Sequence, residues 1–198
     1  MTDKPEDGAF SLFCRITAGN AAALPEEIKY TEGVVLGLTT DTAADEFQQP
    51  ECMGLEFPFM STKSNIKSEV VVVYSGSSSV GCVAIQLAVN AGYRVLATAN
   101  PKHFTLAYLA LKSGHLRCRG RFLIQKCSLV PDIASAVGTD RSIGFYNAIG
   151  IPESFDVVTP MVEKLGGGFV ANTKPPGKLP DFINAKYVLG VNEYGWPM

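Results

Sequence analysis

The chain has 198 residues and a formal net charge of −2, with 46% hydrophobic and 18% charged residues. That length makes one ordinary domain with a short arm, and that composition can fill a sizeable core, which excludes wholesale disorder. A mean hydropathy of +0.14 and a pI near 5.7 argue against a general nucleic-acid binder and give no sign of a membrane protein.

The first ten residues, MTDKPEDGAF, are charged and lack the apolar stretch of a secretory signal. No run reaches the roughly 18 apolar residues that a transmembrane helix needs. The five cysteines (Cys14, Cys52, Cys82, Cys118 and Cys127) are odd in number and widely spaced, as in a reduced, cytoplasmic chain. His115, Cys118 and Cys127 fit no standard zinc spacing, so no metal is expected.

In chain order, Ala9 to Ile16 alternates loosely and reads as a strand. Leu24 to Ile28 reads as a turn entering a short helix. Val34 to Phe47 follows as a helix, with Val34, Val35, Leu38, Ala43, Ala44 and Phe47 as its apolar stripe. Gln49 to Asn65 is loop-like. Val70 to Tyr74 is β-branched and almost wholly apolar, the pattern of a parallel strand covered on both faces. Ser75 to Ser79 is a turn of small residues. Val80 to Ala91 is helical, with Val80, Val83, Ala84, Leu87, Ala88 and Ala91 on one face. Tyr93 to Ala99 is the next strand, which completes a βαβ unit. A helix is expected from Pro101 to Lys112. The pattern then degrades until a short helix at Ile133 to Val137. Ser142 to Ala148 reads as a strand, Ser154 to Leu165 as a helix, and Gly168 to Thr173 and Ala185 to Gly190 as strands. The fold class expected is α/β, a Rossmann-like, mostly parallel sheet with flanking helices.

The turn Ser75-Gly76-Ser77-Ser78-Ser79-Val80-Gly81 joins a buried strand to a helix start. Unpaired backbone N–H groups and the positive end of the helix dipole suit a pyrophosphate there. A full G-x-G-x-x-G is absent, and the alternative is an ordinary turn of an α/β protein that binds nothing. An NAD site usually carries an acidic residue at the end of the second strand. Here Asn100-Pro101-Lys102-His103 follows that strand, and no acidic residue occurs between Glu69 and Asp132. Donors and positive charge suit a 2′-phosphate, which favours NADP(H).

These segments together resemble the medium-chain dehydrogenase/reductase superfamily, on the fungal, non-zinc branch of (trans-)enoyl reductases and quinone-oxidoreductase-like proteins. The strongest match is VVVYSGSSSVGCVAIQLAVNAGYRVLATANPKHF, from Val71 to Phe104. IGFYNAIG (Ile143 to Gly150), LGGGFV (Leu165 to Val170) and YVLGVNEYG (Tyr187 to Gly195) resemble later elements. GAFSLFCRI (Gly8 to Ile16) resembles the last strand of the family's GroES-like catalytic domain.

The resemblance implies a cofactor site built from Thr42, Ser78, Ser79, Val80, Gly81, Asn100, Lys102, His103, Ala148, Ile149, Leu189 and Gly190. Asn147 stands where relatives commonly have Asp. It implies an NADPH-dependent reductase of an activated double bond, within fungal secondary metabolism. The substrate would be a small molecule or a carrier-bound enoyl group, and a second copy or a polyketide synthase the partner. No catalytic residue stands out in the sequence. Two departures qualify this. Family members are considerably longer, so residues 1–30 read as a remnant of the GroES-like domain with its linker. Residues 31–198 then read as the Rossmann-like domain, irregular at 109–131, where the text looks replaced. A cofactor-binding module with little or no independent catalysis is therefore the alternative reading.

Overall fold

The computed structural model describes residues 12–16, 18, 21–56, 58, 67–112, 121–124, 129–175 and 179–187. The chain divides into two units, one spanning Met1–Gly37 with Val191–Met198 and the other Leu38–Gly190. In the first, a turn closed from the Ile28 N–H to the Pro25 carbonyl leads into the short helix α1 (Tyr30–Gly33). The Glu32 carboxylate accepts from the Lys29 N–H and caps it. Residues 12–16, expected as part of a strand, are not one; Leu12 and Phe13 are exposed, and no neighbouring strand among the described residues supplies a ladder.

The second unit holds the sheet. Helix α2 (Gly37–Gln48) begins three residues later than expected, because Val34 to Leu36 form a turn closed from the Leu36 N–H to the Gly33 carbonyl. Of the expected stripe, Ala43 and Phe47 are buried, and the earlier members are not. Val34, Val35 and Leu38 are exposed, and the buried face is Thr42, Ala43, Glu46 and Phe47.

The remaining elements are β1 (Val70–Tyr74), α3 (Ser79–Asn90), β2 (Arg94–Ala99), a 3-10 turn at Pro101–His103, α4 (Phe104–Lys112), β3 (Arg121–Ile124), α5 (Leu129–Val137), β4 (Ser142–Asn147), a 3-10 turn at Pro152–Ser154, α6 (Phe155–Lys164), β5 (Gly168–Asn172) and β6 (Ile183–Tyr187). The six strands are parallel and lie in the order β3-β2-β1-β4-β5-β6. The expected Rossmann-like sheet is thus observed. Strand β6 starts two residues before its expected position, and residues 188–190 lie outside the described ones. Strand β3 falls within 109–131, which the sequence left without a clean period.

Parallel strands need helices on both faces, and the side chains alternate to meet them. Val71, Val73, Val95, Ala97 and Tyr146 face one layer, where Ala84, Ile85 and Ala88 of α3 and Ala43 and Phe47 of α2 cover them. Val70, Val72, Leu96, Phe145 and Val170 face the other, under α5 and α6. Strand β1 has every residue buried. Full burial of each valine contributes about 1.5–3 kcal/mol, so this strand is the centre of the core.

Candidate functional site

The strand order reverses between β1 and β4. In open α/β sheets ligands bind outside the carboxyl ends of the strands at such a switch point. Three segments meet this edge: Ser75 to Gly81 after β1, Asn100 to His103 after β2, and Ala148 to Gly150 after β4.

The first segment is held mainly by its own backbone and by Thr98. Ser75 has φ 61°, left-handed although it is not glycine. The Ser75 N–H donates to Thr98 Oγ1 at 2.9 Å and the Gly76 N–H to the Thr98 carbonyl at 2.7 Å. Ser78 is the N-cap of α3. Its Oγ accepts from the Gly81 N–H at 3.1 Å and donates to the Ser75 carbonyl at 2.9 Å. The hydroxyl of Ser78 is therefore committed to the turn. Ser79 is exposed and Val80 half-buried. Among the described residues, no acceptor faces the N–H groups of Ser77, Ser79 and Val80. Those groups, just before and within the first turn of a helix of 12 residues, can serve as an anion cradle. Gly81 is required here, because a Cβ at this position would lie 2.4 Å from the Ser75 carbonyl oxygen. Cys82 donates its thiol to the Gly76 carbonyl at 3.3 Å, and burial pushes that thiol's pKa up.

In the second segment, Asn100 Oδ1 accepts from the Lys102 N–H at 3.0 Å and caps the 3-10 turn. Asn100, Lys102 and His103 are exposed, so two basic side chains stand at the carboxyl edge of β2.

The third segment is fixed from both sides. The Ala148 N–H donates to the Tyr74 carbonyl at 3.2 Å, which ties it to β1. Ala148 is buried and Ile149 half-buried. Asn147 is fully buried, and its amide holds Ser154 Oγ at 2.7 Å and the Gly150 N–H at 3.3 Å.

The structure therefore brings Ser78, Ser79, Val80, Gly81, Asn100, Lys102, His103, Ala148 and Ile149 to one edge of the sheet. It does not bring Thr42 into that set by any described hydrogen bond. The Thr42 hydroxyl donates to the Leu38 carbonyl at 2.7 Å, within α2. Leu189 and Gly190 lie outside the described residues, as do His115, Cys118 and Cys127. The sequence did not single out Thr98 or the Ser154 partner of Asn147. The signal for Thr98 was a lone hydroxyl between two alanines at the end of a buried strand.

Behind the β4 segment lies a buried polar cluster. Phe47 stacks on Tyr146 at 5.2 Å between centroids, and Glu46 is fully buried beside them. Burial, and then the Glu46 carboxylate, hold the Tyr146 phenol well above its ordinary value. Burial, again with Glu46, pushes the Cys52 thiol up to about 11.

A parallel sheet in the order 3-2-1-4-5-6, with helices on both faces, defines a Rossmann-type α/β protein. No family model matches the chain. It is 28% identical over 214 residues to dehydrogenase orsE of Emericella nidulans, covering 100% of this chain and 59% of that protein. It is 30% identical over 193 residues to trans-enoyl reductase himH of Aspergillus japonicus, covering 97% of this chain and 53% of that one. The fold of the quinone oxidoreductase of Escherichia coli, solved in complex with NADPH, superposes with a TM-score of 0.59 at 14% identity, over 85% of this chain and 49% of that one. The chain thus spans somewhat more than half the length of the curated relatives it matches. These likenesses, in sequence to fungal dehydrogenases and trans-enoyl reductases and in fold to quinone oxidoreductases, agree with the resemblance of the sequence to the medium-chain dehydrogenase/reductase superfamily.

Proposed function

We propose that this chain binds NADP(H) at the carboxyl edge of β1, β2 and β4, and is an oxidoreductase of enoyl-reductase type. The observation that carries the reading is the set of N–H groups of Ser77, Ser79 and Val80, which have no acceptor among the described residues and lie at the switch point. These groups hold the pyrophosphate, with Gly81 and the Ser78 cap keeping the cradle in shape. Lys102 and His103 take the 2′-phosphate, with no acidic side chain between Glu69 and Asp132 to repel it. Ala148 and Ile149 line the nicotinamide ribose and keep water from it. Thr42, Leu189 and Gly190 complete the site in this reading. When bound, NADPH supplies a hydride to an activated carbon–carbon or carbonyl double bond.

The substrate is a small molecule or an enoyl group on a carrier, in fungal secondary metabolism, and the compartment is the cytoplasm. A second copy or a polyketide synthase is the partner. None of the helices among the described residues is long and apolar enough to cross a membrane. A second reading is a cofactor-binding module without turnover of its own. Steady-state NADPH oxidation with an α,β-unsaturated thioester or a quinone separates the two. Turnover supports the reductase, whereas binding without turnover supports the module.

A further inference from the structure

We propose that Asn147 is a positioning residue, whose buried carboxamide sets the Ala148 to Gly150 wall of the crevice for the nicotinamide half of the cofactor. The inference rests on the cofactor reading above and deepens it.

Asn147 ends β4 and is fully buried. Burying a primary amide is unfavourable unless its donors and acceptor are used. Here they are spent on the loop that follows. Nδ2 donates to Ser154 Oγ at 2.7 Å, and that hydroxyl donates on to the Ile151 carbonyl at 2.5 Å. Oδ1 accepts from the Gly150 N–H at 3.3 Å. The Asn147 carbonyl accepts from the Thr173 N–H at 3.4 Å, and Thr173 Oγ1 lies 3.5 Å from it. One side chain thus joins the end of β4 to the loop at Gly150 and Ile151 and to the 3-10 turn before α6.

The loop has little freedom of its own. Gly150 has φ 64°, and a Cβ there would lie 2.7 Å from Thr173 Oγ1 and 2.8 Å from the Lys174 nitrogen. The Ala148 N–H is tied to Tyr74 at the end of β1, the strand that feeds the phosphate turn. The same loop therefore reports on both strands of the switch point. If the carboxamide is lost, the Gly150 N–H loses its acceptor and Ser154 loses its donor. The wall then loosens on the side facing β1, while the Ser75 to Gly81 turn and the Asn100 to His103 segment keep all their described hydrogen bonds.

An aspartate can take the same place. Its oxygens accept from the Gly150 N–H and from the Ser154 hydroxyl, which turns away from Ile151. The Ile151 carbonyl keeps the Ser154 N–H at 3.0 Å.

The test compares two probes on the intact chain: NADPH, and 2′-phospho-ADP-ribose, which lacks the nicotinamide. Asn147→Ala is expected to weaken NADPH about tenfold, to change the fragment less than about twofold, and to speed hydrogen exchange at Gly150. Asn147→Asp is expected to restore NADPH affinity to within about threefold of wild type. Ser154→Ala, a milder change, is expected to act in the same sense and serves if Asn147→Ala fails to fold. Equal losses for NADPH and the fragment, no loss at all, or no rescue by aspartate would overturn the inference. A wild-type chain that binds neither probe overturns the cofactor reading itself. That outcome is distinct from one in which wild type binds NADPH and the variants bind it equally well.

Discussion

Replacing Gly81 with alanine is the sharpest perturbation of the anion cradle. The added Cβ would lie 2.4 Å from the Ser75 carbonyl oxygen, 2.8 Å from Ser78 Oγ and 3.0 Å from the Gly76 Cα. Two of these atoms are backbone, so the turn itself must move to restore ordinary contact. Overpacking of this kind costs about 1–3 kcal/mol. Alanine in a helix offsets about 0.8–1 kcal/mol of that. The net destabilisation is about 0–2 kcal/mol, a fall in Tm of up to about 8 °C for a chain of this size. Because Ser75 and Ser78 shape the cradle, NADPH affinity should fall as well, by about tenfold. Thermal unfolding followed by circular dichroism reads the first effect, and NADPH fluorescence titration the second. Gly37→Ala is the control, since nothing lies within 4 Å of its Cβ; it should leave NADPH affinity unchanged and, with the same helix preference for alanine, should not lower Tm. A Gly81→Ala variant that melts and binds like wild type would refute the packing argument.

Three further outcomes are expected. Ser75→Gly relieves a left-handed conformation that costs about 1–2 kcal/mol in an L-residue, against about 0.5–1 kcal/mol of added chain entropy; Tm should rise by one to a few degrees (about 1–4 °C), and a fall would show that the Ser75 side chain matters more than the strain. Lys102→Glu should weaken NADPH about tenfold while leaving NADH within about twofold; equal effects in competition titrations would remove Lys102 from the 2′-phosphate. Cys52 has a folded pKa of about 11 against an ordinary value of 9.0, chiefly through burial. The unfolded thiol ionises first, so its contribution to stability is complete below about pH 9 and is lost as the pH rises toward 11. Urea midpoints should therefore fall over that range, and less steeply in Cys52→Val; identical slopes would place the loss elsewhere, with Tyr146 the next group.

The β1–α3–β2 unit was legible because one physical rule governs each of its parts. Val70 to Val73 is an unbroken apolar run, α3 repeats its small residues every three or four positions, and the turn between them has room for nothing large. Strand β3 was not legible, since Arg121 to Ile124 stands in a basic, cysteine-bearing stretch without period, and its pairing with Leu96 to Ala99 is a property of the sheet. The start of α2 was misjudged because Val34, Val35 and Leu38 are apolar yet exposed, while the core face includes a glutamate. At the site, residue types pointed to the phosphate turn, but hydrogen-bond commitments did not show. Ser78 spends its hydroxyl on capping and Thr42 on its own helix. The roles of Thr98 and Ser154 depend on contacts 23 and 7 residues away in sequence.

The switch-point cradle of this chain is expected to hold NADPH. The most direct test is a fluorescence titration of the wild-type chain with NADPH, with NADH in parallel. Saturable binding of NADPH that 2′-phospho-ADP-ribose competes away, with weaker binding of NADH, is the expected result. An absence of binding at millimolar NADPH would contradict it.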